Sequence, residues 1–339
     1  MRAKKFLAMA IALGLAVGMT AMPTLAADKK TFVFGDTTFN AENEEADINP
    51  QNTYAGWACI RYGVGETLFR YSDTMEIEPW IAKEYENIDE LTWKITLNDG
   101  VVFSNGRACD GEAVKESLEA LVANHERAAG DLCIDTIEAD GNTVTIKTTE
   151  PKPALINYLS DPYGCIIDMQ AGVSDDGIVI GTGPYALTSF DSKTKATLVK
   201  NKYYWNGEVP YDNVEIDFLS EDNKALALQN GDINLVENVT STSDLDTLKK
   251  DDNFNVSIGQ GVRTGFAYIN EKGILGDDTL RQAVQMALDH KTMCEVTVGG
   301  LYTEGISVLP SSLAYGYDNL KNPYTYNAVS YTHLTLPTN

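Results

Sequence analysis

Apolar and polar positions change period several times along this chain. Thr31–Gly35 reads as a short strand, and Leu91–Leu97 alternates as a strand with one wet face should. Asn98–Gly100 then turns the chain, and Val101–Phe103 continues extended. Val114, Leu118, Leu121 and Val122 recur instead at helical spacing, with Asp110 in front as an N-cap. Thr136–Ala139 and Thr143–Thr148 predict a hairpin around Asp140-Gly141-Asn142, because Asp-Gly tolerates the positive φ of tight turns. Pro151 and Pro153 end that strand. Further on, Ala196–Lys200 and Val214–Leu219 are extended, and a helix over Lys224–Gln229 stops at Gly231. Ile233–Val236, Phe254–Ile258 and Phe266–Ile269 read as strands. Asp277 or Asp278 then caps a helix with Leu280, Val284, Ala287 and Leu288 on one stripe. No internal repeat or low-complexity linker interrupts this. The class is mixed α/β, and 339 residues suit two domains.

The N-terminus follows a different pattern. Arg2, Lys4 and Lys5 precede an uncharged run from Phe6 to Met22, and Thr24–Ala27 offers small residues for cleavage. That is the pattern of a secretory signal, cut after Ala26 or Ala27. The rival, a membrane anchor, would need ~20 apolar residues, and this Ala- and Gly-rich run is at the short end. No cysteine lies near the cut, so no lipid-anchored N-terminus is expected. The mature chain is expected to be periplasmic or extracellular. Removing the three basic residues deepens a formal charge that is already −23, with 49 acids in the sequence. Phosphate binding needs a basic surface, so nucleic acid is excluded as an expected partner.

Cys59, Cys109, Cys133, Cys165 and Cys294 contain no C-x-x-C spacing for zinc. An oxidising compartment allows one disulfide, with Cys109, Cys133 and Cys165 nearest in sequence; the odd count leaves at least one thiol unpaired. Buried free cysteine is the expected state of most. His125, His290 and His333 give neither metal spacing nor a catalytic pair. A secreted hydrolase is the rival class, yet neither G-x-S-x-G nor H-E-x-x-H occurs. No cofactor, metal or catalytic residue is expected.

Several segments, in order, carry a resemblance. Asp47–Pro50 looks like an early "lDP" loop and is followed by Gly65–Asp73. Ile77–Tyr85, Leu91–Gly100 and Val102–Arg107 match "P-x-L-A-x-x-W … T-W-x-F-x-L-R-D-G-V-x-F-x-D-G". Gly181–Tyr185 and Lys200–Gly207 match "G-T-G-P-Y … N-x-x-Y-W-x-G", Ala227–Ile233 matches "A-L-x-x-G-x-I-D", and Asp277–Lys291 is similar to "D-x-R-V-R-x-A-L-x-x-A-I-D-R". Together they resemble the extracytoplasmic solute-binding proteins of ABC importers, family 5, which bind peptides and nickel chelates. The resemblance implies a periplasmic-binding-protein-like (type II) two-lobed α/β fold with an extra inserted domain. After a signal at 1–27, the first lobe would comprise 28–64 and 169–258, the inserted domain 65–168, and the second lobe would begin at 259–327. Ligand would sit in the cleft, and lobe closure would present the loaded form to the permease and its ATPase. The expected partner is a small peptide or chelate, held by a monomer without chemistry. A sensory adaptor role gives the same sequence.

The resemblance also ranks candidate contacts. Tyr54 and Trp57 follow the early loop where the family's chain faces the cleft, with aromatics to pack on a ligand. Arg127 stands where nickel-binding members place a ligand-contacting arginine, and a guanidinium clamps a carboxylate with two parallel hydrogen bonds. Its alternative is an exposed ion pair with Glu126 or Asp131. Nickel-binding members have a second arginine near Asp161–Gly164, and none is present here; Gly130 also replaces an aromatic. Gly181, Gly183 and Pro184 are read as turn formers, and Trp205 as a core or interdomain anchor. The pattern holds through Pro323–Asn327, and then 328–339 departs from it with no amphipathic helix. That ending resembles translated adapter read-through, so a foreign tail and an incomplete second lobe are expected.

Overall fold

The computed structural model describes residues 31–39, 47–52, 56–259, 261–313, 319–322, 324–327 and 329. The expected leader, Tyr54 and nearly all of the tail lie outside the described residues. The chain divides into one compact unit ending at Glu237 and another beginning at Asn238.

In the first unit, β1 (Thr31–Asp36) leads to α1 (Gly56–Arg61), β2 (Glu66–Thr67), β3 (Phe69–Tyr71), β4 (Ile77–Pro79), β5 (Ala82–Asn87) and β6 (Thr92–Leu97). Next come α2 (Gly111–Asn124), α3 (Ala128–Leu132), β7 (Ile134–Asp140), β8 (Thr143–Thr148), α4 (Leu155–Tyr158) and β9 (Cys165–Ile166). The unit closes with β10 (Tyr185–Asp191), β11 (Lys195–Lys200), β12 (Asn213–Phe218), α5 (Lys224–Asn230) and β13 (Leu235–Val236).

These strands form two main sheets around separate cores. The first has the order β10-β11-β12-β1-β13, with β1 parallel to both neighbours and Phe34 opposite Ile216 and Leu235. Its register is pinned across 201 positions of sequence. Val33 N–H donates to Asn234 Oδ1 at 2.8 Å, and Asn234 N–H returns a bond to the Val33 carbonyl at 2.8 Å. Phe34, Leu198, Val214 and Ile216 are buried behind it. The second sheet is antiparallel, β5-β6-β8-β7, and α2 lies across it. Val114, Leu118 and Leu121 supply the buried stripe of that helix, each worth about 1.5–3 kcal/mol of burial. Asp110 caps α2 by accepting from Ala113 N–H at 3.0 Å. Gly111 N–H donates to the Gly141 carbonyl at 2.9 Å, and a Cβ on Gly111 would meet that oxygen at 2.7 Å. Only glycine lets the helix start sit on the hairpin turn.

The predicted hairpin is present, with Gly141 at φ +56°, and Gly231 ends α5 at φ +79°. The strand read over Ile233–Val236 shortens to Leu235–Val236.

Larger differences lie in the second unit. Phe254–Ile258 and Phe266–Ile269 are not strands, because apolar alternation makes a strand only where a neighbour completes its hydrogen-bond ladder. The helix Thr242–Lys249, capped by Ser241, occupies a stretch that reads as merely polar. The helix Asp278–Ala287 forms as expected, its Asp277 cap accepting from Thr279 and Leu280 N–H. Its stripe, however, is not buried: Val284 and Leu288 are exposed, and Ala283 alone is buried.

Candidate functional site

A loop, two helix ends and a turn pack together in the first unit. Asp47–Asn52 folds on itself: Asn49 N–H donates to Asp47 Oδ1, Gln51 N–H to Asn49 Oδ1, and Asn52 Nδ2 to Asp47 Oδ2, all at 3.0 Å. Buried Gln51 then anchors the loop to α2, its Nε2 donating to the Ser117 carbonyl at 3.1 Å. Gly56 opens α1 against prolines: a Cβ there would meet Pro162 Cβ at 2.8 Å and Pro50 Cα at 2.9 Å. This contact buries Gly56, Ala58 and Cys59 and leaves Trp57 on the outside, 44% exposed.

The turn of 3-10 helix at Pro162–Gly164 links Trp57's helix to Arg127. His125 ends α2 in extended backbone, and its Nδ1 accepts from Arg127 N–H at 3.2 Å. Burial and the Arg127 charge hold the imidazole below its ordinary pKa, so it is neutral at pH 7. Tyr163 packs edge-on against the His125 ring at 4.9 Å and stacks with Tyr158 at 6.3 Å. Its hydroxyl donates to Asp131 Oδ2 at 2.7 Å, the same oxygen that meets Arg127 Nη2 at 3.3 Å. Both readings of Arg127 therefore bear on one geometry. Its ion pair with Asp131 exists, spans one exposed helical turn, and is worth under about 1 kcal/mol. A ligand carboxylate offering two oxygens can compete for that guanidinium. Asp161, on the same turn, is half-buried, and burial pushes its carboxyl above the usual range.

The same unit holds a buried polar knot that nothing in the sequence pattern announces. Glu66 is buried, and its carboxylate accepts four hydrogen bonds: Trp80 Nε1 at 3.0 Å and Tyr204 OH at 3.1 Å on Oε1, Trp205 Nε1 at 2.8 Å and Thr182 Oγ1 at 2.9 Å on Oε2. Burial nevertheless outweighs these donors and raises its pKa. Four motif segments thus meet at one residue, and Trp205 is the anchor expected. Gly181 and Gly183 lie backbone to backbone on Gly63–Val64, with Gly183 N–H donating to the Val64 carbonyl at 3.0 Å. They shape the chain, as read. A second buried carboxylate, Asp168, takes Asn105 Nδ2 at 2.7 Å and Arg107 Nη1 at 2.5 Å, while Arg107 Nη2 reaches Glu116 at 2.7 Å.

Among the described residues, no group of three or more His, Cys, Asp or Glu is placed to hold a metal ion. No helix among them is long and apolar enough to cross a membrane.

Residues 76–331 match the profile of the bacterial extracellular solute-binding proteins, family 5 middle region. The chain belongs to that family. Family 5 proteins are binding proteins, periplasmic or extracellular. Among similar curated proteins is the nickel-binding protein NikA of Staphylococcus aureus, 28% identical over 232 residues, covering 68% of this chain and 46% of that protein. Another is the glutathione-binding protein GsiB of Salmonella paratyphi A, 26% identical over 325 residues, covering 92% of this chain and 62% of that one. The chain thus spans about half to two thirds of the length of these relatives. The crystal structure of Staphylococcus aureus NikA in complex with Ni(L-His)2 superposes with a TM-score of 0.78 at 24% identity, over 90% of this chain and 63% of that one. The fold is accordingly the α/β, two-lobed periplasmic-binding-protein fold of family 5, as expected.

Proposed function

We propose that this protein captures a small carboxylate-bearing solute outside the cytoplasmic membrane, either a short peptide or an amino-acid chelate of nickel, and delivers it to an ABC permease and its ATPase. The supporting observations are the exposed Trp57, on a helix whose first residue packs on Pro162, and Arg127, which shares Asp131 with the neighbouring Tyr163. An exposed indole offers an apolar surface to a ligand, and a half-exposed guanidinium offers charge to its carboxylate. Tyr54, three residues before Trp57 in the sequence, is kept as a proposed contact. The proposed domain plan is a signal at 1–27, first-lobe segments 28–64 and 169–258, an inserted domain 65–168, and the start of the second lobe at 259–327, with 328–339 outside the family pattern. The protein acts as a monomer and performs no chemistry.

Nickel has its own support in the likeness to a nickel-binding protein, and the peptide reading in the likeness to a glutathione-binding one. The missing second arginine near Asp161–Gly164 weighs toward peptide. Titration calorimetry of the chain with glutathione, with mixed dipeptides, and with Ni2+ plus L-histidine separates the two. Arg127→Ala should weaken the ligand that binds by roughly 10- to 100-fold, the worth of a charge-assisted hydrogen bond or pair. Unchanged affinity in that variant would remove Arg127 from the site. Hydrolysis of a bound peptide would replace import with the secreted-hydrolase reading.

A further inference from the structure

Two thiols far apart in sequence face each other inside the first unit. Cys59 lies in α1 and Cys165 begins β9, 106 positions later, yet their sulfurs are 4.0 Å apart and both residues are buried. Neither position is loosely held. The Cys59 carbonyl accepts from Val64 N–H at 3.0 Å and from Gly65 N–H at 3.2 Å, while Cys165 pairs with Thr67 in the β2–β9 ladder. Gly65 lies against both sulfurs: a Cβ there would run into Cys165 Sγ and come within 2.9 Å of Cys59 Sγ. The pocket between α1, β2 and β9 therefore has room for two sulfurs and little else.

We infer that Cys59 and Cys165 are joined by a disulfide when the chain folds in an oxidising extracellular compartment. The S–S bond needs about 2.05 Å, so the sulfurs must approach by about 2 Å. Two thiols each lose a proton, and the two sulfurs together give up two electrons to the disulfide of a thiol–disulfide oxidase, which leaves as a dithiol. The hydrogen bond to Cys59 and burial push the Cys165 thiol up. The bond ties the helix carrying Trp57 to the strand that follows the Pro162–Gly164 turn, closing a long loop around everything between. Sequence proximity favours Cys109 or Cys133 as partners of Cys165; the fold selects Cys59. This inference rests on geometry and compartment, and failure of the ligand reading leaves it untouched.

The test is a non-reducing peptide map of the chain directed to the periplasm of a host bacterium, denatured in iodoacetamide without reductant. Trypsin leaves each cysteine on its own peptide, with Cys59 in Thr31–Arg61 and Cys165 in Thr148–Lys193, because Lys152 precedes proline. The expected result is a cross-linked pair of those two peptides, with Cys109, Cys133 and Cys294 alkylated. Alkylation of all five cysteines, or a link from Cys165 to another cysteine, overturns the inference. Reduction should also lower the thermal midpoint of the native protein by on the order of 10 °C, as loss of a loop of about 100 residues implies. The wild-type map decides even if the variant Cys59→Ser fails to fold.

Discussion

Replacing Glu66 with alanine tests whether one buried carboxylate holds four segments of the first unit together. Its two oxygens accept from two indoles and two hydroxyls. The hydroxyls of Thr182 and Tyr204 can rotate toward other acceptors, whereas an indole N–H has one direction and no accepting role. Glu66→Ala therefore orphans the half-buried N–H groups of Trp80 and Trp205, at about 1–3 kcal/mol each. Relief of a buried charge offsets part of this, since burial already raises the carboxyl's pKa. The net expectation is about 2–4 kcal/mol lost, a fall of about 5–15 °C in thermal midpoint. Glu66→Gln keeps one accepting oxygen and should fall between alanine and wild type. Urea denaturation at pH 7 provides the measurement. Trp80 and Trp205 act as local reporters, because their rings lie 6.2 Å apart. The linkage has a definite sign: a carboxyl raised on folding contributes stability at low pH that is lost as pH rises through its folded value. Glu66→Gln should lack that component. An alanine variant within 1 kcal/mol of wild type, or a glutamine variant less stable than alanine, would refute the reasoning.

Three further outcomes are expected. Arg107→Ala leaves the Asp168 carboxylate buried without its guanidinium and should cost about 3 kcal/mol in denaturant titration. Burial pushes Asp168 up, but Asn105 and Arg107 hold it below the usual carboxylate range, so wild-type stability persists until low pH, and acid unfolding of Arg107→Ala should begin at higher pH. Asp161→Asn should match wild type in acid and exceed its thermal midpoint at neutral pH, because burial disfavours the charged form; equal midpoints at pH 7 would contradict this. Gly164→Ala drives a Cβ into the Leu159 carbonyl, which is backbone and cannot swing away. It should cost about 1–3 kcal/mol by thermal melting and displace Tyr163 from His125.

Local chemistry was legible in the chain alone wherever a few neighbouring residues decide the outcome. Asp110 before a helical stripe, Asp140-Gly141 between alternating runs, Gly231 after a helix and Asp277 at a cap all became the elements they announced, because each satisfies or frees backbone groups within its own turn. The ordered motifs likewise gave the family, since each keeps a local shape that the fold requires. What the sequence alone could not say is where distant residues meet. Val33 and Asn234, Cys59 and Cys165, and Glu66 with its four donors are joined by topology, and nothing in the spacing of those residues encodes the pairings. For the same reason Phe254–Ile258 and Phe266–Ile269 alternate like strands yet are none, and Val284 and Leu288 form a stripe that stays exposed. The candidate site shows both sides: Trp57 and Arg127 were named from local pattern and resemblance, but only the tertiary structure supplied Pro162 and Tyr163 as the link between them. A period in the sequence states what a segment can bury, and the fold decides whether a partner is there to bury it.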